Sequence, residues 1–360
     1  MSHFSPHSPA VSVLVVAHNG EKTLQRAIES VQNQGERNTE VVVVDAGSVD
    51  NTARMLDVMS ERDIRVVVAH EGEMGYAAAL NKALAMARGR YVLVMPQDAW
   101  VEPMAIAHML KLADDNNLEL VFGGLYVELS CGRRTATIDA PTQETVFLTQ
   151  HDFRANAWRY LSQGQLAPAC GKLFLRSRVL DLGLSFDEDA FTDHGFTRAY
   201  LADVERVGVS KGYAQRISRR IPVMGQLDRQ TFERRGLGCL EAEYAAAIEL
   251  YRHWGLEGDA ASMEALQNRY LEFLANVVSM LACAPVEKER AKERQACLAQ
   301  AVPSERARFA ASVANPKSGA AKTMAMLVNA GKPGLAGAQA KVWNVLHGGL
   351  PASLMPDFYL

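Results

Sequence analysis

Two aspartates, Asp45 and Asp98, stand where short apolar runs end, and a third, Asp193, stands just before a helical run. A carboxylate carries acceptor oxygens only. Held in a cleft, it can bind N–H groups, coordinate a divalent cation or take a proton from a nucleophile. The segments that follow the apolar runs read Ala17-His18-Asn19-Gly20, Asp45-Ala46-Gly47-Ser48 and Pro96-Gln97-Asp98-Ala99. The first holds a single glycine, and the chain contains neither GxGxxG nor the P-loop spacing with which glycine-rich loops cradle phosphates.

The elements that must position these residues are legible from periodicity. Val11–Val16, Val41–Val44, Val66–Ala69 and Tyr91–Met95 are nearly continuous apolar runs, rich in β-branched residues. Such runs predict strands buried on both faces. Between them, Thr23–Gln32 places Leu24, Ala27, Ile28 and Val31 three or four apart, and Thr52–Met59 and Tyr76–Ala87 behave alike. Asp50-Asn51-Thr52 offers a helix N-cap, with Asp50 as the capping residue, and Gly89 a stop after the third helix. Strand and helix in this rhythm predict an α/β fold, with helices on both faces of a mostly parallel sheet. Ligands of such sheets bind outside the carboxyl ends of the strands, where Asp45 and Asp98 fall.

More α/β structure is expected to about residue 225, and from Asp228 the pattern turns helical. Leu240, Tyr244, Ile248 and Tyr251 share one helical face; Leu266, Tyr270, Leu274, Val277 and Leu281 share another. Glu287–Arg294 reads as a solvated helix face. The division expected is a domain over 1–225 and an α-helical C-terminal region over 226–360, in keeping with about 150 residues per domain.

The 360 residues carry 38 basic and 41 acidic side chains, a net charge of −3, which gives no field suited to nucleic acid. Five scattered cysteines without CxxC spacing argue against disulfides or zinc and for a reducing cytoplasm. Met1–Ala10 lacks the basic and apolar segments of a signal peptide, and no run approaches the roughly 20 apolar residues of a membrane span. A cytoplasmic location is expected, with peripheral contact at the inner face of a membrane admitted.

Read together, the motifs become specific. Val11–Leu24, Val43–Thr52, Gly75–Tyr91 with Ala79, Asn81, Ala87 and Gly89, and Met95–Pro103 occur in order. Gly171–Arg176, Phe186–Glu188 and Thr192–Phe196 follow. Over about residues 10–225 this series resembles the family 2 glycosyltransferases, which have the GT-A fold and invert the anomeric carbon. The resemblance implies transfer of a sugar from a nucleoside diphosphate, a UDP-sugar, to an acceptor hydroxyl in polysaccharide or glycolipid synthesis. By the same resemblance Asp45 contacts the base, Ala17, His18 and Glu21 frame it, Asp98 holds Mg²⁺ or Mn²⁺ against the diphosphate, and Asp193 is the catalytic base. Arg216 is the arginine singled out as a clamp on the diphosphate, with Arg219 and Arg220 as neighbours able to do the same. Packing of Leu173 and Phe174 against the sheet is expected first, with a role in positioning donor or acceptor open to Lys172.

Four positions depart from the family pattern. Pro96 replaces the first motif aspartate and supplies neither a carboxylate nor an N–H, so weakened or absent metal binding is expected. Ala99, Leu80 and Thr192 are the others, Leu80 standing where an arginine is common. They motivate a second reading, a non-catalytic glycosyltransferase-like binding module. A nucleotidyltransferase is a third, disfavoured by the missing phosphate loop. The partners expected are a nucleotide-sugar donor and a glycan or lipid-linked acceptor, with self-association through the C-terminal helices admitted.

Overall fold

The computed structural model describes residues 8–35, 38–188, 193–221, 236–283 and 288–355. Thr192, Asp228 and Glu287 lie outside the described residues. The first quarter of the chain alternates as expected: β1 (Val11–Ala17), α1 (Leu24–Gln32), β2 (Thr39–Ala46), α2 (Thr52–Arg62), β3 (Val66–Glu71), α3 (Tyr76–Met86) and β4 (Tyr91–Val94). Every residue of β1, β2 and β4 is buried. The strand order is β3-β2-β1-β4, with all neighbours parallel. The β1–β2 register sets Ala17 opposite Asp45. The winding reverses between β1 and β4, where parallel α/β sheets leave a crevice for ligands.

Beyond β4 the sheet becomes mixed. The chain continues through β5 (Ala99–Val101), α4 (Ala105–Asn116), β6 (Leu120–Cys131), β7 (Arg134–Ala140), β8 (Thr145–Phe147) and α5 (Gln150–Ser162). It then forms β9 (Lys172–Leu175), α6 (Arg176–Asp181), α7 (His194–Leu201) and β10 (Val207–Arg220). From β4 the order runs β4-β9-β6-β10-β5, with β7 on β6 and β8 on β10. β9 is antiparallel to both β4 and β6, and β10 is parallel to β6. Two reversals restore the direction, so β10 points the same way as β1, β2 and β4. The carboxyl ends of these strands therefore share one edge, and β9 begins there.

The opposite edge is tied by a buried polar cluster. Ser12 and Glu40 face each other in register. The Ser12 hydroxyl donates to Glu40 Oε1 at 2.6 Å and accepts the Gly89 N–H at 2.8 Å. Glu40 also accepts the Arg88 backbone N–H at 2.8 Å and the Arg88 guanidinium at 3.1 and 2.7 Å. A Cβ at Gly89 would strike the Ser12 nitrogen, so this glycine permits close approach; α3 itself ends at Met86 with Ala87, rather than Gly89, at its C-cap.

All described elements after Gly236 are helical: α8 (Leu237–His253), α9 (Ala260–Cys283), α10 (Lys288–Ala301), α11 (Glu305–Val313), α12 (Gly319–Asn329) and α13 (Pro333–Leu346). α9 is buried almost all round from Ala265 to Leu281, as befits a helix at the centre of a bundle. The two faces read from the sequence hold Leu240, Tyr251, Leu266, Tyr270, Leu274, Val277 and Leu281 in the core, with Tyr244 and Ile248 half-buried. One apolar core runs from β6, β7 and β10 into α9 and α11–α13. Among the described residues no helix is long and apolar enough to cross a membrane.

Candidate active site

The loops after β1, β2 and β4 are knitted together by short-range hydrogen bonds. The Gln97 side chain accepts the His18 N–H and donates to the His18 carbonyl, both at 3.0 Å, and so bridges the crevice between β1 and β4. His18 Nδ1 lies 3.1 Å from the Ala46 carbonyl, which makes that nitrogen the donor and aligns the ring with the end of β2. Asn19, at φ +49°, accepts the Val49 N–H and donates its own N–H to Ser48 Oγ, both at 2.9 Å. An asparagine tolerates the left-handed region better than most residues. Glu21 reaches the Asn51 N–H and side-chain amide. Asp50 accepts the Thr52 N–H at 3.0 Å, although the N-cap position of α2 is held by Asn51 rather than by Asp50.

Asp45 is 3% exposed at the end of β2. Its Oδ1 accepts the Ser48 N–H at 3.1 Å, and Oδ2 lies 3.1 Å from His70 Nδ1. That hydrogen bond from Asp45 raises the His70 pKa above its ordinary value, against burial and with Asp57 adding to it. Asp45 is thus oriented by two partners at the foot of the crevice.

Asp98 follows β4 and is met by Arg219 from the end of β10. Arg219 Nε and Nη2 donate to Asp98 Oδ2 and Oδ1, each at 2.7 Å, a bidentate pair with side chains 24% and 18% exposed. The Ser218 N–H donates to the Asp98 carbonyl at 3.1 Å. Burial works against the Arg219 charge, but the hydrogen bonds and charge of Asp98 outweigh it, and its pKa is raised. Tyr76, first residue of α3, lies in the field of Asp193, Arg219, Cys170 and Asp98. The residue is 41% exposed overall. Burial first and Asp193 second hold it above the usual tyrosine range.

Asp193 occupies the N-cap position of α7, yet its side chain makes no cap hydrogen bond. Its Oδ2 instead accepts the Ala169 N–H at 2.6 Å, from the loop that enters β9. Lys172, 1% exposed, stiffens that loop by donating to the Gln165 and Pro168 carbonyls, and Gln165 in turn donates to the Ala140 carbonyl at 2.7 Å. The start of α7 is anchored from the other side as well. Asn81 makes a two-point bond with the backbone of Phe186, at 2.8 Å each way, and Phe186 stacks on Phe196 with centroids 4.3 Å apart. Glu188 accepts the Ala77 N–H at 3.0 Å, at the amino end of α3, where a negative charge is favoured.

α7 is also bonded to the helical region. Glu243 of α8 accepts from His194 Nδ1 at 3.1 Å and from Arg198 Nη1 at 2.8 Å. Burial would raise the Glu243 pKa, but the charges and hydrogen bonds of His194 and Arg198 hold it down to about 2. A carboxyl depressed in the folded state adds stability above its unfolded value near 4.5, and that stability is lost as pH falls toward 2. Wild type should therefore exceed Glu243→Gln in urea midpoint at pH 6, and the gap should close between pH 4.5 and 2. A gap that does not change with pH would contradict this reading.

The site thus gathers Asp45, Asp98 and Asp193 with Ala17 and His18 at one sheet edge. Glu21 stands beside it, tied to the start of α2. Arg216 is not gathered there. Alternation along β10 sets Arg216 on the face opposite Gln215 and Arg219. It pairs there with Glu102 and lies over Tyr126 and Tyr213, 4.4 and 5.0 Å from their ring centroids. Arg219, three residues on, is the arginine that reaches the site. Gln97, His70, Tyr76 and Ala169 were not singled out from the sequence. Gln97 and Tyr76, lying inside recognised motifs, carried a signal, and His70 and Ala169 did not.

The family model for glycosyl transferase family 2 matches residues 12–179. EpsJ of Bacillus subtilis, an uncharacterized glycosyltransferase, is 26% identical over 268 residues, covering 69% of this chain and 72% of EpsJ. The succinoglycan biosynthesis protein ExoO of Rhizobium meliloti is 28% identical over 197 residues, about half of each chain (50% and 53%). The structure of S. aureus TarS 1–349 shares the fold at a TM-score of 0.59 and 16% identity, covering 93% of this chain and 91% of that one.

The sheet, with carboxylates gathered at its ligand edge, has the GT-A fold. Residues 12–179 carry a family 2 glycosyltransferase domain, as the motif series implied.

Proposed function

We propose that the protein transfers a sugar from a UDP-sugar to an acceptor hydroxyl of a growing polysaccharide or glycolipid, with inversion. The observation that carries this reading is the delivery of Asp45, Asp98 and Asp193 by separate elements to one sheet edge. Support for the nucleotide comes from TarS, a protein of the same fold solved with UDP-GlcNAc. The name of ExoO supports the product class. In this reading residues 1–225 form the catalytic domain and 226–360 the helical region that packs on it.

The chemistry follows from the arrangement. Asp45, already oriented by Ser48 and His70, accepts an N–H of the base, with Ala17, His18 and Glu21 forming the surrounding frame. The acceptor oxygen attacks the anomeric carbon as its proton passes to Asp193. The bond from that carbon to the diphosphate breaks, and the electron pair leaves on the phosphate oxygen. A single displacement inverts the centre through an oxocarbenium-like transition state. The Mg²⁺ or Mn²⁺ implied by the family meets a poor donor set. Pro96 brings no carboxylate, and both Asp98 oxygens hold Arg219. Among the described residues no group of three His, Cys, Asp or Glu is placed to hold a metal.

Calorimetry with UDP, uridine, GDP and CDP tests the donor assignment. UDP should bind the wild type, and Asp45→Ala should weaken both UDP and uridine by about tenfold, the worth of one charge-assisted hydrogen bond. Preference for GDP or CDP, or an unchanged affinity in Asp45→Ala, would overturn the assignment. A non-catalytic module would bind UDP but turn over no UDP-sugar.

A further inference from the structure

We infer that the outer face of α12 and α13 is a docking surface for an anionic lipid bilayer, a reading independent of the donor assignment. A helix on the outside of a bundle ordinarily turns polar residues to water. α13 does the opposite. Its inner side, Ala336, Gly337 and Ala340, is buried where the helix packs on α9 and α10, and a Cβ on Gly337 would stand 3.3 Å from Leu298. Its outer side carries Leu335, Val342 and Val345 at helical spacing, 54, 58 and 77% exposed, with Leu346 beside them at 66%. Lys341 is the one charged residue in this helix. α12 adds Met326, 70% exposed, one turn before its end.

Charge identifies the occupant. From 306 to 356 the chain carries six Lys or Arg and no Asp or Glu, although its net charge is −3. Arg306 is paired with Glu241 of α8, but the side chains of Lys322, Lys332 and Lys341 are exposed. Lys322 and Met326, four apart, share one face of α12. Lys332 is the N-cap residue of α13, and Lys341 precedes Val342. Apolar side chains enter the acyl boundary of a bilayer while lysines reach its anionic headgroups on flexible stems. A second copy of the chain fits this face poorly. The face set against itself would oppose lysine to lysine, with no carboxylate in the segment to answer them. The surface also lies toward the ligand edge of the sheet. Cys131, the last residue of β6, donates to the Gly349 carbonyl just past α13, at 3.3 Å, and Leu129 pairs in register with Arg219.

The test is flotation of the full chain with vesicles of phosphatidylcholine alone and of phosphatidylcholine mixed equally with phosphatidylglycerol. Wild type should float with the anionic vesicles, about tenfold or more tighter than with the zwitterionic ones, and salt at about 0.5 M should weaken the binding. The triple variant Lys322→Ala, Lys332→Ala, Lys341→Ala should lose about 100-fold, near fivefold per lysine. Val345→Glu should lose about tenfold, from the apolar area withdrawn and the charge added. Urea midpoints close to wild type show that these surface variants fold, and the comparison of the two vesicles needs no variant. Absence of flotation with either vesicle, or equal flotation with both, would overturn the inference. Full binding in both variants would overturn it too, by placing the membrane contact elsewhere. So would a dimer, seen by sedimentation velocity without lipid, that Val345→Glu dissociates, because a second copy would then cover this face.

Discussion

Asp193→Asn is expected to lower sugar transfer about a thousandfold while leaving UDP affinity within about twofold of wild type, the range general-base catalysis spans. The substitution is nearly isosteric, and its carbonyl oxygen can still accept the Ala169 N–H that Asp193 accepts at 2.6 Å. α7 does not depend on this side chain as a cap. Its start is held by the Phe186–Phe196 stack and by Glu243, which bonds His194 and Arg198. Basicity is therefore the main property removed. The measurement is single-turnover transfer with a panel of UDP-sugars, run beside UDP calorimetry. Transfer within tenfold of wild type would place the base elsewhere. Parallel loss of transfer and UDP affinity would mean that Asp193 shapes the donor site.

Glu40→Ala is expected to cost about 3 kcal/mol of stability, with the activity of the folded fraction unchanged. Glu40 is 2% exposed and lies at the sheet edge remote from the site. Its loss leaves the Ser12 hydroxyl without the acceptor it has at 2.6 Å, and leaves the Arg88 N–H, 2.8 Å from Glu40, with only its longer bond to Ser12 Oγ at 3.2 Å. The Arg88 side chain is 65% exposed and regains water, so its ion pair contributes little to the cost. Most of the cost comes from the buried donors, which stitch β1, β2 and the turn before β4 together. Glu40→Gln, which keeps an acceptor oxygen, should lose about 1 kcal/mol. Urea midpoints at unchanged slope give the comparison. A loss under 1 kcal/mol in Glu40→Ala would show that water replaces the carboxylate.

Much of the fold can be read from local pattern, because a strand buried on both faces needs an unbroken apolar run and an amphipathic helix a 3.6-residue period. β1, β2, β4 and α1 fall where those patterns lie. The mixed half of the sheet could not be read this way. Nothing local in Lys172–Leu175 says that it enters between β4 and β6 and runs antiparallel to both. Strand order is a property of long-range pairing, and the same short apolar segment suits either direction.

The site divides along the same line. Asp45, Asp98 and Asp193 were legible because each ends or begins an element whose limits the sequence marks. Their partners were not. Ala169 meets Asp193 from 24 residues away, and Gln97 meets His18 across 79. The choice between Arg216 and Arg219 turned on β10 itself. Once it is an extended strand, residues three apart face opposite ways, and Arg219 alone of the two meets Asp98. Residue type and spacing thus establish which groups can do the chemistry. Which of them meet is settled by strand order and register, because those pairings form only when distant segments pack.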